Sequence, residues 1–217
     1  MKFTLTYDGL LPSNGDSAEK SAIRSHIHPQ LLELWNISPV LSTVRTNRMY
    51  PIGRGAVVPT EKHHSEGRTA MPTSTQTGSF KSWQKPELDM CAPITVGNCE
   101  FIPLVRESLA LKCALRILFM RKEEPGGIVN RGDIDNRLKT LLDALSMPNI
   151  DQEKRCPTRD MPTYTLLEND RDIVAIDIDT RQLLSRPGSH RNEVRLIIDV
   201  DVRVAEARSY NQPFLGG

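Results

Sequence analysis

Aromatic residues make up only 5% of this 217-residue chain, and no apolar run approaches the length of a membrane-spanning helix. A helical membrane protein is excluded, and few side chains remain that could stack on a base. Of the two tryptophans, Trp35 belongs to an apolar series at helical spacing and is read as core. Trp83, between Lys81 and Lys85, fits either base stacking or local packing. Cysteine is equally sparse. Cys91, Cys99, Cys113 and Cys156 are irregularly spaced and form no CxxC, so neither a zinc site nor a disulfide framework is indicated. His63 and His64 could join Cys91 and Cys99 on a metal, but adjacent histidines in a polar loop are read as solvated. The start, MKFTLTYDG, is a strand pattern without a signal-peptide core, and a cytoplasmic protein is expected. Net charge is nearly absent too: the formal balance is +1, which announces no polyanion partner. Its distribution is less even, because Arg45 to Lys85 holds seven Lys/Arg against Glu61 and Glu66.

What is present is ordered at both ends. Phe3, Leu5 and Tyr7 alternate along a first strand, and a helix is predicted from about Ala18 to Trp35 with Ile23, Ile27, Leu31 and Leu34 on one face. Residues 36 to 102 are rich in Pro, Gly, Ser and Thr and read as a long insertion with little regular structure. Leu109 to Phe119 alternates as a central strand and ends in RKEEPGG. A helix follows from about Asp135, then an irregular stretch from Pro148 to Leu166. One more strand has Val174, Ile176 and Ile178 inward, and a last one has Val194, Leu196, Ile198, Val200, Val202 and Val204 inward. This order predicts one domain over residues 1–217, an α/β or α+β layer with helices packed on a mixed sheet and 36–102 inserted in it.

The stretch from 132 to 145, GDIDNRLKTLLDAL, carries the chemistry. Leu138, Leu141, Leu142 and Leu145 stand at i, i+3, i+4 and i+7, the spacing of one buried helix face. Asp135, Lys139 and Asp143 follow at steps of four and form a stripe beside the leucines. Read blandly, these are an N-terminal aspartate favoured by the helix dipole and surface pairs of a few tenths of a kcal/mol each. The D-x-D pattern also recurs at Asp177/Asp179 and Asp199/Asp201, but there within strands, where both aspartates simply share a solvated side. Only Asp133 and Asp135 have a glycine before them, a helix after them and a lysine one turn on. Asp170, in ENDRD before a strand, is a third carboxylate at an element end. Three carboxylates gathered together need a cation, and hard oxygen ligands select Mg²⁺, with Mn²⁺ as substitute. Lys139 would then face the scissile phosphate or the attacking water.

These residues resemble the RusA-type Holliday junction resolvases, whose signature is D-x-D-N-x-x-K-x-x-x-D-A-L followed by D-D-x-x-V. Asp133, Asp135, Asn136, Lys139, Asp143, Ala144 and Leu145 meet the first part, and Asn169, Asp170, Asp172 and Ile173 stand at the second, with Asn169 where the signature has Asp. The resemblance implies metal binding by Asp133, Asp135 and Asp170, with Lys139 as catalytic partner and Asn136 and Asp143 supporting. Asp143 is expected to hold Lys139 in place or to cap local structure. It further implies cleavage of branched DNA, a four-way junction, by a homodimer whose two sites cut two strands. No small-molecule cofactor and no membrane partner is expected. The basic run that precedes the first aspartate in the family is reduced here to Arg131, so DNA contact is expected from Arg45, Arg48, Arg54 and Lys62 in the insertion, with Arg131 and Arg137. Two other readings stand beside this one: a nuclease for another branched nucleic acid, and a catalytically silent DNA-binding protein of phage or prophage type.

Overall fold

The computed structural model describes residues 1–46, 91–122, 131–149, 161–184, 190, 192–208 and 211–216, with the backbone alone at 46 and 131–133. The elements in chain order are β1 (Lys2–Leu10), α1 (Ser17–Ile37), α2 (Pro39–Thr46), β2 (Ile94–Val96), β3 (Cys99–Val105), β4 (Leu111–Arg121), α3 (Arg131–Leu145), β5 (Thr163–Leu167), β6 (Ile173–Gln182) and β7 (Glu193–Val204). They build two mixed sheets, one ordered β1-β7-β4-β6 and a smaller one ordered β2-β3-β5. In the first, only β4 and β6 run parallel; in the second, only β3 and β5 do.

Alternation explains the main sheet. Leu5 and Tyr7 of β1, Leu111 through Phe119 at odd positions of β4, and Val194 through Val202 at even positions of β7 are all buried on one face. The opposite face is wet and cross-linked by charge, with Arg195 on Asp8 at 2.6 Å, Arg203 on Asp201 at 2.9 Å and Arg116 on Asp177 at 3.4 Å. α1 covers the buried face with Ile23, Ile27, Leu31 and Trp35. It starts on a capping box in which the Asp16 carboxylate accepts from the Glu19 N–H and the Glu19 carboxylate accepts from the Asp16 N–H. None of the described helices is long and apolar enough to cross a membrane.

Four expectations change. A single sheet becomes two, because the ends of the expected insertion are structured: α2 seals the core with Leu41 and Val44, while β3 buries Phe101, Ile102, Leu104 and Val105. Residues 47–90, including Arg48, Arg54, Lys62, His63, His64 and Trp83, lie outside the described residues. Thr163–Leu167, read as irregular, is the strand β5, buried at all five positions; it lies against β3 and beneath α1, so it shows no alternation. Cys99 is disulfide-bonded, where spacing indicated no disulfide. Finally, Ile176 and Ile178 do sit on the core side, level with Leu115 and Ile117, but β6 is the outermost strand and none of the described helices packs closely on it. Val174 is therefore 55% and Ile176 40% exposed.

Strand edges are treated unequally. The outer edge of β1 is closed by Gln30 of α1: the Thr6 N–H donates to Gln30 Oε1 at 2.9 Å, and Gln30 Nε2 donates to the Thr6 carbonyl at 2.7 Å. One amide side chain thus satisfies both polar groups of a residue that a further strand would pair. β5 is closed likewise, by His28 Nδ1 accepting from the Tyr164 N–H and by the Met147 N–H donating to the Leu167 carbonyl.

Candidate active site on helix α3

α3 is the helix that GDIDNRLKTLLDAL predicts, begun one turn earlier at Arg131. Leu141, Ala144 and Leu145 are buried and Leu138 and Leu142 pack against the core, so the leucine face is the inner face. Four contacts then fix the helix. Arg137, 3% exposed, donates to the Leu11 carbonyl at 3.0 Å and to Asn192 Oδ1 at 3.2 Å. Thr140 Oγ1 accepts from the Gly15 N–H at 2.9 Å, and a side chain at Gly15 would meet Thr140 Cγ2 at 2.6 Å. Lys20 Nζ pairs with Asp143 Oδ2 at 2.8 Å. Arg24 donates to the carbonyls of Asp143 and Ser146 at 3.1 and 3.2 Å, a cation on the negative end of a helix that has no basic residue in its own last turn.

These contacts set aside two expected roles, Asp143 as the holder of Lys139 and Arg137 as a DNA contact. Asp143 bonds Lys20 of α1 and not Lys139, because α1 lies alongside this half of α3 and its lysine reaches the carboxylate first. Arg137 is not available to DNA: its guanidinium is buried and spent on joining α3 to the ends of β1 and β7.

The remaining charges of the stripe are differently placed. Asp135 and Lys139 are both exposed, one helical turn apart on the same side, and neither takes an ion pair or side-chain hydrogen bond among the described residues. Asp133 lies in the first turn, where the helix dipole favours a carboxylate; its side chain and that of Arg131 lie outside the described residues. Asn136 is half-buried beside them, its carbonyl accepting from Thr140 Oγ1. Asp133, Asp135 and Lys139 thus share the first two turns of one helix. Asp135 and Lys139 share one side, whereas the position of Asp133, two residues earlier, is about 200° round the helix axis from Asp135.

Asp170 does not join them within one chain. It opens a 3₁₀ turn (Asp170–Asp172) in which the Asn169 side chain accepts from the Arg171 N–H. β6 begins immediately afterwards, with Ile173 level with Cys113 at the start of β4. The first half of α3 is at the other end of the sheet, since Arg137 reaches Leu11 and Asn192, beside the Val194 that pairs with Arg121. From Cys113 to Arg121 β4 rises about 26 Å. The expected gathering of three carboxylates is therefore split, two at one end and Asp170 at the other. Among the described residues no cluster of three or more metal-ligating side chains forms.

The surroundings of Asp170 serve the fold. Asp172 is buried and paired with Lys112 at 2.7 Å, and Arg171 pairs with Glu107 at 3.0 Å. Glu168 accepts from the Glu107 N–H, and burial pushes its carboxyl up to about 7 against the opposing pull of Arg106. Of these acids only Asp170 is exposed with no side-chain partner. Sequence reasoning missed Lys20, Arg24 and Asn192 as supports of α3; each acts across more than fifty residues and leaves no local pattern. Of the residues expected to grip DNA, Arg45 is exposed in the last turn of α2. No family model, characterised protein or solved structure matches this chain.

Proposed function

We propose that this chain is a Mg²⁺-dependent endonuclease that cuts phosphodiester bonds in branched DNA, acting as a homodimer in the manner of the resolvases its α3 motif resembles. One observation carries the reading. On a helix where Arg137 and Asp143 are locked into the fold, Asp135 and Lys139 are exposed, one turn apart on the same side and, among the described residues, unpaired. Asp133 and Asp135 would hold the metal through carboxylate oxygens, and Mn²⁺ could replace Mg²⁺. The bound ion would supply Lewis-acid stabilisation of a phosphoryl oxygen and a more acidic water. Lys139, fixed by the helix one turn from Asp135, offers its ammonium to the phosphate or to the attacking water and so opposes charge that develops during cleavage.

The place of Asp170 sharpens the dimer expectation. A single site cuts one strand, whereas resolving a junction requires two symmetric cuts, for which a two-fold dimer is the simplest arrangement. Asp170 lies too far from Asp135 to share its metal within one protomer, so a second copy is the source from which it could reach that site. Cleavage of a mobile four-way junction, with and without Mg²⁺, beside duplex, flap and single-strand controls, tests the activity. Mg²⁺-dependent cutting of the junction is expected. Preference for flaps would make it a nuclease of another branched substrate, and binding without cutting would make it a silent DNA-binding protein. Mixing Asp135→Asn with Asp170→Asn subunits tests the shared site: two inactive homodimers should regain nicking as heterodimers, which keep one intact site. Mixtures that stay inactive would place each set of ligands within its own protomer.

A further inference from the structure

We infer that the outer edge of β6 is a self-pairing interface, at which a second copy of this chain adds its own β6 in antiparallel register about a two-fold axis through Ile176. The first support is exposure. Ile176 lies open on the face that elsewhere in the sheet is core, Val174 in the strand's bulge is 55% exposed, and Leu184 just beyond the strand is 88% exposed. These apolar side chains stand beside a ten-residue strand whose outer backbone edge receives no hydrogen bond among the described residues. The second support is contrast, because Gln30 closes β1, His28 and Met147 close β5, and β2 has only three residues. Among the described residues, β6 is the long edge left without such a guard.

The strand's own sequence selects the occupant. In IVAIDIDTRQ an axis through Ile176 sets Ile176 opposite itself on the core-side face, a β-branched pair at the centre of the seam with Ile178 of each copy two residues away. On the other face Asp177 meets Ala175, so no carboxylate faces another at the centre of the seam. Moving the axis to Asp177 or Asp179 sets that aspartate against its own mate, and moving it to Ile178 sets Asp177 against Asp179. A perpendicular two-fold axis keeps the core faces on one side, so the two sheets continue into one with both helical layers above it. Such a pair would bring two α3 helices into one particle. Its use for cleavage rests on the proposed nuclease activity; the interface does not.

Sedimentation equilibrium of the full chain without DNA should give a dimer, and Ile176→Asp, which brings two carboxylates together on the axis, should weaken it at least about 100-fold. Circular dichroism of that variant checks that it folds. Should it fail to fold, cysteine substitution reads the register in its place. Under diamide, Ile176→Cys should give a disulfide-linked dimer in high yield, whereas Asp179→Cys, three residues from the axis in each copy, should not. A wild-type chain that is monomeric at all concentrations, or cross-linking at 179 in preference to 176, overturns the interface. None of these readouts uses cleavage, so a cross-linked dimer inactive on every substrate would reject the nuclease and leave the interface standing.

Discussion

Asp135 and Asp143 lie two turns apart on one stripe of α3, and their surroundings are opposite. Asp143 is three-quarters buried and held by Lys20, and the carbonyl of the same residue is held by Arg24. Asp135 is exposed with nothing on it. The difference comes from what passes overhead: α1 runs alongside the second half of α3, while the first half projects past the start of α1 toward the open end of the sheet. A carboxylate under a neighbouring helix must be paired, since burying it unpaired would cost several kcal/mol. A carboxylate beyond that helix carries no such demand and is available to a ligand. One helix thereby carries an aspartate held by its neighbour and another open to solvent.

Substitutions can break this division, and the largest effect should fall on catalysis. Asp135→Asn should lower junction cleavage by about 1,000-fold or more, the loss of several kcal/mol of transition-state stabilisation. Its melting temperature should hold and its junction affinity should hold or rise, because a negative charge near phosphate is gone. Gel-based cleavage and binding on one preparation check both. Arg137→Ala should do the reverse, destabilising the fold by about 2–4 kcal/mol as two buried acceptors lose their donor, which urea unfolding would register. If it instead weakens DNA binding with stability unchanged, the buried assignment fails. Lys139→Ala should cut turnover by about 10- to 100-fold without moving the Mg²⁺ concentration for half-activity, since its ammonium acts on phosphate or water. A large shift in that concentration would make it part of the metal site. The smallest effect belongs to Asp143→Asn, about 0.5–1 kcal/mol of stability from one partly buried ion pair and little change in cleavage. A loss of cleavage comparable with that of Asp135→Asn would erase the distinction between the two halves.

Most elements were legible because each carries its own period. The leucines of α3, the apolar face of α1 and the alternation in β4 and β7 are local patterns that burial enforces. β5 was not legible: TYTLL is covered on both faces, which removes the period that marks a strand, and its neighbour β3 lies sixty residues away in sequence. α2 and β3 were obscured by the Pro- and Ser-rich composition that adjoins them. For the site, the spacing of Asp135 and Lys139 gave their shared face directly. The distance to Asp170 could not be read, because it depends on β6 running parallel to β4, which delivers the start of β6 to the end of the sheet opposite the start of α3. The partners of Asp143 and Arg137 likewise depend on how α1 and the β1 end pack, and no single stretch of sequence encodes that.

The amide of Gln30 has a consequence for stoichiometry. A sheet with two bare edges, each able to pair with itself, can alternate between two kinds of two-fold contact and grow without limit. Hydrogen-bonded at both ends to Thr6, Gln30 occupies the outer edge of β1, so growth through the proposed β6 seam would be complete when two copies have met. One side chain on α1 is then what separates a closed pair from a filament.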